Sequence, residues 1–282
     1  MPPKKQQTIG FSIKQFNMNM VGDNKKLVFI GKTGSGKSYL ILDYLYHNQD
    51  VPIVNVISPT EELNGTYTPH VPAMLIHDEF NDEVITNIMD RQKNLVQEFN
   101  EGCDIDPRTI CIMDDCLADS EDWVNDRNIK WVFDNGRHAQ MTFIIALQYP
   151  VGIPPKLRSN IQYAFLSREN SVDLQKKYYN LYAGCFPNFN MFQDCFLKCT
   201  ENRGCLVIKN ESLSSKLEDI VFHYRVDTTN KPDWDTFKLC YRELWAHNDE
   251  IIALKRRKKS EAESSNNKYK KNAIVFKINK KK

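Results

Sequence analysis

The run Lys26-Leu27-Val28-Phe29-Ile30 leads without a break into Gly31-Lys32-Thr33-Gly34-Ser35-Gly36-Lys37-Ser38, and few folds accommodate such a junction. The chain has only 11 glycines in 282 residues, yet Gly31, Gly34 and Gly36 fall within six positions of one another. Glycine tolerates positive φ and carries no Cβ, so successive backbone N–H groups can turn inward and cradle phosphate oxygens. The apolar run before the glycines reads as a short buried strand. After them, "SYLILDYLYH" (38–47) spaces Leu40, Ile41, Tyr44 and Leu45 as one face of a helix, whose positive end adds to the same spot. Strand, glycine loop and helix together make a phosphate-binding loop. Gly31, Lys32, Thr33, Gly34, Ser35 and Gly36 form the cradle, Lys37 reaches the β- and γ-phosphates, and Ser38 offers a hydroxyl to Mg²⁺.

The rest of the chain alternates in a way that suits such a loop. Strand-like runs recur at 52–58, 73–78, 108–115, 141–150 and 161–167, with helical stretches at 80–100 and 122–138. This spacing predicts an α/β fold with a mostly parallel central sheet and helices on both faces. Beyond 168 the pattern changes to Tyr- and Phe-rich helical sequence, then "CLVIK" (205–209) and "DIVFHYR" (219–225), which read as antiparallel strands added at the sheet edge. At 41% hydrophobic residues the chain can bury a full core. No apolar stretch approaches the ~20 residues needed to span a bilayer, so a soluble protein is expected. The eight cysteines are scattered in a manner that suits reduced thiols, and Cys195, Cys199 and Cys205 read as small buried hydrophobes rather than zinc ligands.

Charge is unevenly placed. From Lys255 onward there are twelve Lys and Arg against two Glu, which leaves the preceding 254 residues net acidic with 26 basic and 34 acidic side chains. The sequence therefore divides into an N-terminal extension (1–24), a nucleotide-binding domain (25–254) and a basic tail (255–282) read as disordered, either a solvated or targeting segment or a contact for nucleic acid or another polyanion.

A phosphate loop needs a carboxylate on a neighbouring strand to hold the cation. Asp114, after Ile110-Cys111-Ile112-Met113, is that residue, and Asp115 stands where NTPases of the additional-strand class keep the group that orients or deprotonates the attacking water. Gln148 ends the apolar strand 141–147, where a polar side chain can touch both the γ-phosphate and that water.

"GRHAQMTFIIALQYP" (136–150) resembles the Gly-Arg, apolar strand and terminal Gln of the FtsK–HerA superfamily of DNA-pumping ATPases, and "MDD" with "PPKLRSNIQYAF" (154–165) is most similar to the genome-packaging ATPases of poxviruses and giant viruses. The similarity covers roughly residues 25 to 225. It implies a RecA-like P-loop domain of the additional-strand class that hydrolyses ATP with Mg²⁺. It also implies a homo-oligomeric ring of five or six subunits moving double-stranded DNA, docked on capsid proteins, in the host cytoplasm or the virion and not in a membrane. An arginine supplied to a neighbour's γ-phosphate would be Arg137 or Arg158. Asp115 departs from the Glu common in the wider class. Two other readings compete: a small-molecule P-loop kinase, and a GTPase suggested by Asn230-Lys231-Pro232-Asp233. The latter lacks Asp-x-x-Gly after Asp114, so "NKPD" is expected to be a turn.

Overall fold

The computed structural model describes residues 12–116 and 125–270, with side chains as far as 261. The sheet-forming elements are β1 (Lys14–Gln15), β2 (Lys26–Ile30), β3 (Ile53–Ile57), β4 (Ile76–His77), β5 (Thr109–Met113), β6 (Met141–Leu147), β7 (Tyr163–Ser167), β8 (Cys205–Lys209) and β9 (Val221–Tyr224). The helices are α1 (Lys37–Tyr46), α2 (Glu61–Asn64), α3 (Asp82–Asn100), α4 (Arg127–Asn135), α5 (Pro155–Arg158), α6 (Val172–Tyr182), α7 (Phe189–Cys199) and α8 (Asn248–Lys270).

All nine strands join one sheet in the order β1-β9-β8-β7-β2-β6-β5-β3-β4. The block β7-β2-β6-β5-β3-β4 is parallel, while β8 runs antiparallel to both β7 and β9, as the edge reading anticipates. Strand β2 is buried throughout because both faces of the sheet are covered. Leu27 and Phe29 join the layer under α1, and Val28 and Ile30 join the opposite layer with α3, α4 and α7. Each such side chain contributes about 1.5–3 kcal/mol of burial. Three helices, α3, α4 and α7, start where a side chain satisfies their free N–H groups: Asn81 accepts from Glu83 N, Asp126 from Asn128 N and Ile129 N, and Asn188 from Met191 N.

The helix read over 122–138 with its end at Gly136 is described as Arg127–Asn135 with Gly136 as its C-cap, and its expected start lies outside the described residues. The structure departs from the sequence reading in three places. The run 73–78 is a single 3-10 turn, Ala73–Leu75, followed by the two-residue β4; Pro72 before it donates no ladder bond. The segment 12–24 is no separate extension: β1 pairs with β9, and Phe16, Met18 and Val21 are buried. Finally, 255–270 is helical rather than disordered, forming the C-terminal part of α8, while 271–282 lies outside the described residues. Lys255 donates to Ile76 O on the short edge strand β4 and Lys259 pairs with Glu62. These cations lie four apart, so one helix face docks while the next residues point to solvent.

Phe16 tests the integration of the N-terminal segment. It is 2% exposed, with four aromatic rings (Tyr163, Phe165, Phe222 and Tyr224) centred 5.6–6.1 Å away. Phe16→Ala should destabilise the fold by about 3–5 kcal/mol in denaturant unfolding; a loss below about 1 kcal/mol would return the segment to the status of an appendage.

Candidate functional site

The loop 31–36 leaves β2 at the C-terminal end of the parallel strands, where open α/β sheets bind ligands. Gly34 and Gly36 adopt φ of 77° and 93°, the left-handed conformation that glycine takes without strain. Gly31 is required for a different reason: a Cβ there would lie 2.4 Å from Ser35 Oγ and 2.6 Å from Ser167 Cβ. The loop is thereby pressed against the end of β7. Helix α1 begins immediately afterwards with Lys37, whose ammonium folds back to donate to Gly31 O at 2.7 Å. Burial lowers the Lys37 pKa, and the carboxylates of Asp115 and Asp114 oppose that shift.

Asp114 follows β5 and is 3% exposed. Its Oδ2 accepts from Ser38 Oγ at 3.2 Å and from the wholly buried Tyr67 hydroxyl at 2.7 Å. Its Oδ1 has no hydrogen-bond partner among the described residues, and the same holds for the buried Ser35 Oγ and Ser167 Oγ beside the loop. Buried polar atoms are nearly always satisfied, so three orphans around one glycine loop mark a place built for a polar ligand. An oxygen-only pair, the Ser38 hydroxyl and the open Asp114 oxygen, fits a hydrated Mg²⁺. Burial raises the Asp114 pKa and the neighbouring Asp115 adds to this, while Tyr67, Lys37 and Ser38 favour the carboxylate; a bound dication would act in the same direction as those three.

Asp115 takes a φ of 54°, uncommon for a residue with a side chain but tolerated by Asp. The reversal brings it to the end of β6, where Gln148 Nε2 donates to its Oδ1 at 3.0 Å. The site thus joins Lys37, Ser38, Asp114, Asp115 and Gln148 into one constellation: a lysine folded back on a glycine loop, a hydroxyl–carboxylate pair, and a carboxylate–amide pair.

The two arginines are elsewhere. Arg137 is exposed at the N-terminal end of β6, a strand's length from Gln148. Arg158 ends α5, donates to Ile153 O at 3.0 Å and stacks over the Tyr182 ring at 5.7 Å. Among the described residues no contact brings either to the chain's own loop. "NKPD" is a structural clamp, as the turn reading expects. Lys231 pairs with the buried Asp43 of α1 between the rings of Tyr46 and Trp234, at 5.1 and 5.0 Å, and Asp233 accepts from the Tyr46 hydroxyl. Cys195 and Cys199 approach to 4.0 Å between sulfurs, and Cys205 is buried in β8. No described helix is long and apolar enough to cross a membrane.

Sequence reading missed Tyr67. It lies in the loop after α2, and only its position beyond the C-terminal end of β3, on the side where the site assembles, could have hinted at it.

Comparison with known proteins follows the same lines. Residues 13–241 match the family described as Poxvirus A32 protein. The protein L437 of Acanthamoeba polyphaga mimivirus is 36% identical over 219 residues, covering 76% of this chain and 77% of its own length. The protein 088R of Invertebrate iridescent virus 3 is 33% identical over 231 residues, covering 78% and 86%. Among solved structures, B204, the DNA-packaging ATPase from Sulfolobus turreted icosahedral virus, superposes with a TM-score of 0.50 at 12% identity, covering 73% of this chain and all of that one. The conjugation coupling protein TcpA of pCW3, solved with ATPγS, gives 0.51 at 15%, covering 73% and 62%. At such identities these two structures speak to the fold, a P-loop ATPase fold with a mixed, mostly parallel sheet.

Tyr67→Phe removes one of the two donors to a buried carboxylate. It should lower the unfolding free energy of the nucleotide-free protein by about 1–3 kcal/mol, and unchanged stability would mean that Tyr67 does not hold Asp114.

Proposed function

Because the chain belongs to the Poxvirus A32 protein family, we propose that it is an ATPase that drives double-stranded DNA into a viral capsid within the infected cell. One observation carries the reading: Ser38 with Asp114, and Asp115 with Gln148, assemble around the glycine loop at the ends of three adjacent parallel strands. The fold shared with a DNA-packaging ATPase supports it.

In this mechanism the backbone N–H groups of 31–36 and the start of α1 hold the phosphates of ATP. Lys37 leaves Gly31 O for the β- and γ-phosphates. Ser38 and Asp114 would hold Mg²⁺, which would supply positive charge against that developing on the transferred phosphoryl group. Asp115 positions the attacking water and accepts its proton, and Gln148, bonded to Asp115, senses whether the γ-phosphate is present. The body of the chain is acidic, so DNA contact falls to basic groups gathered on one surface. On α8, Arg256, Arg257 and Lys258 are exposed beside the two lysines that dock the helix. Phosphate contacts of this kind are independent of base sequence.

The subunits form a ring of five or six in which Arg137 or Arg158 reaches the neighbour's γ-phosphate. Neither contacts its own loop among the described residues, which supports a role across the interface, where such a charge is worth ~10³–10⁵ in rate.

Phosphate release by the full chain tests the function. Turnover should require Mg²⁺, rise severalfold with linear duplex DNA and vanish in Lys37→Ala. Changing Arg256, Arg257 and Lys258 together to Gln should reduce the log–log salt slope of DNA binding by about 2.7. Turnover that survives Lys37→Ala, or that ignores duplex DNA, contradicts the proposal. For the interface, mixing an Arg137→Ala or Arg158→Ala protein with Lys37→Ala protein should recover activity, since a hybrid contact pairs an intact loop with an intact arginine. If rings form and neither mixture recovers, the composite site is wrong.

A further inference from the structure

The carboxylates and Gln148 fix the direction of the terminal phosphate, since they lie on the β6 and β5 side of the loop. The remainder of a nucleotide must then extend toward the other side. There β7 ends, β8 begins and β9 ends at one level, because Ser167 pairs with Cys205 and Cys205 with Tyr224. An open cleft of about 670 Å³ occupies this corner, lined by Gly34, Gly36, Tyr39, Arg203, Arg225 and Thr228 among others. Its volume falls within the ~300–1,000 Å³ usual for ligand sites.

Three features of the cleft are unexplained by packing. Tyr39, in the first turn of α1, is 50% exposed; Trp234 packs against it with ring centres 5.2 Å apart, and the rest of the ring is open. Arg203 and Arg225 are exposed and form no salt bridge among the described residues, although Asp227, also in the lining, feels the charge of Arg225. Asn202 and Arg203 both hold left-handed backbone, with φ of 50° and 62°, a conformation that non-glycine residues adopt at a cost and that clusters at functional sites. The turn is held by Gly204 N–H donating to Glu201 O at 2.8 Å, and a Cβ at Gly204 would lie 2.4 Å from Cys199 O.

The geometry points to this cleft as the site of the base and ribose of the nucleotide, with Tyr39 as the stacking surface for the base and Arg203 and Arg225 facing the sugar and the phosphate nearest to it. All three come from the same chain as the phosphate loop, which separates them from the interface arginines. The inference rests on the proposed ATPase reading and deepens it. Stacking on Tyr39 accepts any purine face. The neighbouring Lys231 and Asp233 are engaged by Asp43 and Tyr46, so they do not read a guanine edge.

Calorimetric titration of the full chain with Mg·ADP and, separately, with Mg·pyrophosphate tests the assignment. Tyr39→Ala and Tyr39→Leu, the second keeping apolar bulk against Trp234, should each weaken ADP about tenfold and leave pyrophosphate unchanged. Arg203→Gln combined with Arg225→Gln should weaken ADP at least fivefold. If these variants bind ADP as the wild type does while Lys37→Ala loses both ligands, the cleft is not the base site although the phosphate loop stands. If Lys37→Ala keeps full affinity for both ligands, the ATPase reading falls and this inference falls with it.

Discussion

The insertion of β6 between β2 and β5 is the constraint on which everything else rests. Its register is fixed on both sides, Ile30 opposite Leu147 and Met113 opposite Ile145. Gly31, Asp114, Asp115 and Gln148 therefore leave the sheet at nearly the same level. A slip of one residue would turn every side chain of β6 to the other face and carry Gln148 away from Asp115. The slip is opposed by burial: all seven residues of β6 are buried, with Phe143 and Ile145 in one layer and Ile144 and Ala146 in the other. Hydrophobic packing thus sets the position of the polar site.

The polar groups then order one another. Asp114 is held by Ser38 from α1 and Tyr67 from a distant loop. Helix α1 is held in turn by its own buried carboxylate, Asp43, which accepts from Lys231 and from the Tyr224 hydroxyl at the end of β9. Breaking a buried pair of this kind by removing one partner is strongly destabilising, because the other charge is left unpaired. The phosphate loop is consequently fixed at both ends: Gly31 against Ser35 and Ser167, and α1 against Asp43 and its partners. Three of the buried polar atoms left without partners among the described residues, Ser35 Oγ, Asp114 Oδ1 and Ser167 Oγ, lie around this loop.

What the sequence disclosed follows from range. The loop 31–38 is a local pattern in which each residue type has its own reason, and the strand–loop–helix context is equally local. Asp114, Asp115 and Gln148 were legible because parallel strands deliver their C-terminal residues to one edge whatever the intervening sequence. Tyr67, Arg203 and Arg225 were not, since nothing in their neighbourhoods differs from an ordinary loop until the sheet order is known. The segment 12–24 looked like an extension because Phe16 and Met18 are isolated apolar residues in polar sequence, and their burial depends on β9, some two hundred residues away. Helix α8 failed for the opposite reason. Its composition is that of a disordered basic tail, and its order comes from the contacts Lys255 and Lys259 make with Ile76 O and Glu62.

Separating binding from hydrolysis tests the central claim, that β6 delivers a hydrolytic group to a phosphate site built by its neighbours. In Gln148→Ala, calorimetry should find the affinity for Mg·ATP within about threefold of the wild type, while steady-state turnover falls by about 10²-fold or more. Turnover at the wild-type rate in Gln148→Ala, with binding intact, would contradict the account.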